Sequence, residues 1–68
     1  MTEVYACLLG DWTNLSNSNN LRIDNSQDDA NLWWEEVGHK LFDYDYINIT
    51  HDDVNYRIHP SFIQIITR

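Results

Sequence analysis

The last third of the chain constrains the fold most, because its side chains alternate with the period of a strand. Between Tyr44 and Thr50, Asp45, Ile47 and Ile49 form one set and Tyr44, Tyr46 and Asn48 the other. After the polar group Thr50-His51-Asp52-Asp53, Val54, Tyr56 and Ile58 alternate with Asn55, Arg57 and His59. Two period-two runs across a short polar link predict a β-hairpin. Pro60 has no backbone N–H to give to a ladder, so His59-Pro60-Ser61 predicts a break of about one 3₁₀ turn. Phe62 to Thr67 then resumes as a β-branched final strand. The chain has only 68 residues, and a domain of that size buries only about 60% of its unfolded surface. Three Trp, four Tyr and two Phe are therefore expected to supply much of a small core. One domain spanning residues 1–68 is expected, with no room for a cofactor domain beside a substrate domain.

Nearer the start, Glu3 to Leu9 is apolar on both alternating sets, which predicts a strand buried on both sides or central in its sheet. Gly10-Asp11 signals a turn, and Trp12 to Leu15 continues as a second strand. Ser16 to Asn20 is all Ser and Asn, whose side chains bond to nearby backbone and favour a loop. Leu21-Arg22-Ile23 predicts a short strand, followed by a polar connector to Gln27. Cys7, the single cysteine, cannot close an internal disulfide and is expected to be a buried, inert thiol in a reducing compartment.

From Asp28 to Phe42 the spacing predicts a helix. At 100° per residue Ala30, Trp33, Trp34, Val37 and Leu41 share one arc. Ser26 is the expected N-cap, Asp28 and Asp29 suit the positive end of the macrodipole, and His39 and Lys40 suit the other. Of the adjacent tryptophans, Trp33 sits at the edge of the arc and is expected to be partly exposed. The resulting expectation is an α+β fold: a small antiparallel sheet of four or five strands with one acidic amphipathic helix. A hairpin, a one-turn break and a closing strand also end SH3-like, partly open barrels, an analogy of fold alone.

Charge is distributed unevenly. Asp24, Asp28, Asp29, Glu35, Glu36, Asp43, Asp45, Asp52 and Asp53 face a single base, Lys40, leaving −8 between residues 24 and 53. The other 38 residues carry Glu3 and Asp11 against Arg22, Arg57 and Arg68, or +1. Such a concentration predicts a one-signed field that repels nucleic acid and acidic membranes and attracts basic surfaces. It also fits a merely solvated face. As a docking surface, Asp28, Asp29, Glu35, Glu36 and Asp43 form two rows, with members two helical turns (about 10.5 Å) apart. Leu32 falls on this acidic face as a contact anchor, and Trp33 and Asp45 complete the candidate partner-binding set.

Catalytic chemistry has little support in the residues. His39, His51 and His59 lack paired metal-ligand spacing. Glu35-Glu36 and Asp52-Asp53 are sequence neighbours that need not converge on a pocket. Gly10 and Gly38 make no phosphate-cradling loop, and Ser61 has no nucleophile-elbow context. Four bases cannot build the basic groove that base-stacking aromatics require, so most rings are expected in the core. The expected protein is a non-enzymatic binder without cofactor or metal. Its partner is a basic protein surface, such as that of a nucleic-acid-binding enzyme, with no direct contact to nucleic acid or membrane. In size, acidity and lack of catalytic motifs the chain resembles small phage-encoded inhibitors such as anti-CRISPR and anti-restriction proteins. Some of those occupy nuclease grooves by imitating nucleic-acid charge. This resemblance is one of composition and carries no residue roles. An assembly or regulatory subunit forming a homodimer or larger homo-oligomer is the alternative. No basic n-region or long apolar run is present, so a cytoplasmic location in a bacterial host is expected.

Overall fold

A computed structural model describes residues 1–18, 20–24 and 27–68. Among these residues six strands form two three-stranded antiparallel sheets, packed with one α-helix. β1 (Thr2–Leu8) runs centrally between β2 (Asp11–Asn14) and β6 (Ile63–Thr67). The second sheet orders β3 (Leu21–Ile23), β4 (Ile47–His51) and β5 (Val54–Ile58) as a simple row. The α+β architecture thus stands, while the expected single sheet of four or five strands divides in two. The polar run after β2 prevents the chain from continuing directly into β3. The 3₁₀ turn Pro60–Phe62 redirects the last strand away from β5, to pair with β1 from Thr2↔Thr67 to Ala6↔Ile63.

Both hairpins close through two-residue turns. Leu9 and Gly10 take φ of 53° and 87°, and Asp52 and Asp53 take 51° and 67°. Left-handed backbone at both central positions matches the twist of the flanking strands. The second turn is therefore shorter than the expected four residues, because His51 joins β4 opposite Val54. Leu9 adopts this backbone without glycine's freedom and stands exposed at the hairpin tip.

β1 is central, as the sequence predicts, but it is buried on one face only. Val4, Ala6 and Leu8 point into the core, while Glu3, Tyr5 and Cys7 are half-buried on the outer face. The cysteine is thus less buried than expected. The inward set meets Leu21, Ile23, Ile47, Ile49 and Ile58 of the second sheet, with Leu15 and the helical residues Ala30, Trp33 and Leu41.

The helical region starts and stops differently from the 28–42 expectation. α1 covers Ala30–Val37, and Gly38–Asp43 winds as 3₁₀ with non-helical backbone at Lys40. Asp29 is the N-cap, accepting bonds from the Asn31 and Leu32 N–H groups at 3.0 and 3.2 Å. The expected cap, Ser26, lies outside the described residues. Gly38 allows a close approach: a Cβ there would stand 2.7 Å from the Trp34 ring. A polar clasp fixes α1 to the first sheet. Asn31 donates to the Thr2 carbonyl at 2.9 Å and accepts from the Ser16 hydroxyl, whose oxygen in turn accepts the Val4 N–H.

Candidate functional site

The acidic stretch between residues 24 and 53 runs through the end of β3, the helical region and the β4–β5 turn, with Asp24 and the Asp52–Asp53 turn at opposite ends of the β3–β4 ladder. All nine carboxylate residues between 24 and 53 are exposed. Among the described residues none of them pairs with an arginine or lysine; their single contact with a basic side chain is His51 Nδ1 to Asp52 at 3.7 Å. Arg57 instead lies over the Tyr46 ring, 4.5 Å from its centroid, in a cation–π contact.

Within that stretch the structure groups fewer residues than an unbroken helix allows. Leu32, Glu35 and Glu36 are exposed on α1, one turn apart. Leu32 is 48% exposed and adjoins the two glutamates, as its helical position predicts. Asp29 is exposed too, but its carboxylate is turned onto the helix end as a cap. Asp28 precedes the cap and is not helical. The two-row spacing ends at Glu36. Beyond it a 3₁₀ segment advances about 120° and 2.0 Å per residue, and Lys40 interrupts it, so Asp43 does not repeat the position of Glu36. Asp45 lies in the connector before β4.

Trp33 reverses its expectation. It is 3% exposed and belongs to the core, while Trp34 is half-buried against Gly38. Trp33 packs with core residues of both sheets, and its indole N–H is buried without a hydrogen-bond partner among the described residues. The expectation that most rings fill the core is corrected as well. Trp33 alone of the nine is fully buried, and Trp12, Phe42, Tyr46 and Phe62 are exposed.

The outer face of the first sheet was not singled out by the sequence. Tyr5, Trp12, Gln64, Ile66 and Arg68 line a shallow cavity of about 250 Å³. This is below the roughly 300–1,000 Å³ of small-molecule sites and fits one inserted side chain. Its single cation is engaged: Arg68 Nε donates to Glu3 Oε1 at 2.9 Å. Period-two reading of β1 does place Tyr5 outward, but Trp12 and Ile66 join it only once β2 and β6 flank β1.

The histidines serve local structure. His59 accepts the Ser61 N–H at 3.1 Å and caps the 3₁₀ turn, and His51 Nε2 meets the Ser18 hydroxyl at 3.1 Å. No group of three or more His, Cys, Asp or Glu side chains suited to a metal occurs among the described residues. Among the described residues no helix is long and apolar enough to cross a membrane. No protein family, curated protein or solved structure matches the chain.

Proposed function

We propose that this is a small non-enzymatic binding protein that docks its carboxylate-rich flank onto a basic protein surface. One observation carries the reading: nine carboxylates stand in solvent without an arginine or lysine partner among the described residues. A fold that neutralised them internally would leave no field to recognise a cationic target. Leu32, Glu35 and Glu36 supply the centre of the surface, an apolar contact rimmed by charge. Asp28, Asp29, Asp43 and Asp45 extend the negative potential around it. The partner class is a groove rich in arginine and lysine on a nucleic-acid-binding enzyme, engaged in the cytoplasm of a bacterial host. The activity is that of a phage-type inhibitor of a nuclease or defence protein, an anti-CRISPR or anti-restriction protein acting as a nucleic-acid charge mimic. An SH3-like, partly open barrel is the finer fold reading. It is supported by β2 and β3 standing where one bent strand would join the sheets, with a 3₁₀ turn before the closing strand.

The test is capture of host proteins on the immobilised protein at low and high salt, beside the variant Glu35→Gln/Glu36→Gln/Leu32→Ser. A basic protein retained at low salt, released by high salt and at least tenfold depleted on the variant supports the reading. Capture indifferent to both salt and substitution overturns it.

A further inference from the structure

We propose that the open edge of β6 is a dimerisation site that pairs antiparallel with β6 of a second copy. Bonding along β1 and β6 identifies the backbone groups left free. Met1 and Arg68 exchange both hydrogen bonds, at 2.7 and 2.9 Å. In an antiparallel ladder bonded pairs alternate, so Glu3↔Ile66 and Tyr5↔Gln64 are bonded pairs too. The main-chain groups of Ile63, Ile65 and Thr67 consequently face away from β1. The Ile63 N–H is already given to the Pro60 carbonyl. Among the described residues, what remains is a row of carbonyls at 63, 65 and 67 and N–H groups at 65 and 67 without a partner.

The edges differ in how they are guarded. β5 closes on β4 through His51↔Val54, so its outward groups belong to Asn55 and Arg57, and the arginine charges that edge. β2 is four residues long and opens on Asp11. β6 reads Ile-Gln-Ile-Ile-Thr, without charge, proline or bulge, the kind of edge that natural proteins otherwise blunt. Ile63 and Ile65 are only half-buried, although the residues they face across the ladder, Ala6 and Val4, are fully buried.

Charge selects the occupant. Glu3, on the strand beside this edge, is engaged by Arg68, so a basic partner strand finds that carboxylate already paired. An identical uncharged strand meets no like charge. A two-fold axis at Ile65 is self-complementary. Each Ile65 exchanges both main-chain bonds with its counterpart, and each Thr67 donates to the Ile63 carbonyl of the second copy. On the inner side the two Ile65 side chains meet. On the outer side Gln64 lies opposite Ile66 of the second copy, beside the cavity lined by Tyr5 and Trp12. The contact is at the small end of interface sizes, so dimerisation is weak and concentration-dependent.

This inference is independent of the acidic-flank reading, and salt separates them. Screening weakens attraction to a basic partner, but it lessens repulsion between two copies of a chain carrying −7. The experiment is sedimentation of the full chain from micromolar to millimolar concentration, with amide exchange followed by NMR. The expected result is a shift from one chain mass toward two, no weaker at high salt, with the Ile65 and Thr67 amides exchanging at least tenfold more slowly as concentration rises. Thr67→Pro removes an outward N–H and leaves every β1 bond in place, so it is expected to weaken dimerisation at least tenfold. Thr67→Lys, which keeps the backbone, is the second variant should the proline perturb folding. A single-chain mass throughout overturns the proposal, as does a dimer whose Ile65 and Thr67 amides stay unprotected, or one unaffected by whichever of these variants folds.

Discussion

In the first sheet Glu3 is enclosed: its side chain is 14% exposed, accepts from the Asn14 amide at 2.8 Å and meets Arg68. On α1, Glu35 and Glu36 stand in solvent with no arginine or lysine partner among the described residues. The same functional group is a structural element in one region and an open charge in the other. The difference follows from the neighbours each secondary structure provides. A central strand has partners on both sides, and β2 and the residue just after β6 bring an amide and a guanidinium to Glu3. An eight-residue helix with its apolar face inward offers its outer residues only each other. Carboxylates of the first kind contribute to folding, and those of the second contribute to the surrounding field.

The largest effect expected from testing this contrast lies beneath it. Trp33→Ala removes the one fully buried ring, which joins the helix to both sheets. It should cost about 3–5 kcal/mol, enough to unfold much of a chain this small, as read by urea titration. If it costs under about 1 kcal/mol, α1 is not the bridge between the regions. Next is Gly38→Ala. Helix propensity alone favours alanine by about 1 kcal/mol, but the Trp34 ring occupies the Cβ position. Overpacking of this kind costs about 1–3 kcal/mol, so the melting temperature should fall and not rise.

Asp29 tests whether an acid on the flank can also be structural. Asp29→Ala should cost about 1 kcal/mol through loss of the cap, while Asp29→Asn, which keeps an accepting oxygen, should be close to neutral. The smallest effects separate the two regions directly. Glu3→Gln loses no more than about 1 kcal/mol, because Arg68 is two-thirds exposed and solvent screens the pair. Glu35→Gln with Glu36→Gln should leave the denaturation midpoint unchanged or raise it slightly by relieving self-repulsion. A larger loss from the helix pair than from Glu3 would reverse the assignment of roles.

Strands whose alternation meets one buried face were legible in the residues. β4, β5, the 3₁₀ turn at Pro60 and β6 fall close to where Ile47, Ile49, Ile58 and the β-branched terminus place them. Pairing was not legible, because period-two patterning says which face is apolar and nothing about which strand lies alongside. Nothing local to Ile63–Thr67 specifies β1 as its neighbour, so two sheets read as one. The helix was legible as apolar spacing, but its end was not. Gly38 reads as a propensity penalty until the Trp34 ring is seen to require it. The inversion of Trp33 and Trp34 has the same origin. A helical wheel assigns an arc, whereas the direction of the second sheet from α1 decides which ring enters the core. The concentration of acids along the chain was legible, and the nine between residues 24 and 53 are exposed, but the row from Glu36 to Asp43 depended on a continuous α-helix.

The pairing of β1 with β6 joins segments separated by about 55 residues of sequence. At roughly 5–20 residues per second of synthesis, β1 waits about 3–11 seconds for its second neighbour to be made. During that interval the strand is at most half of a hairpin, and Val4, Ala6 and Leu8 have no completed sheet behind them. The nascent chain thus passes through a period of vulnerability to capture or premature association that ends only when its closing strand leaves the ribosome.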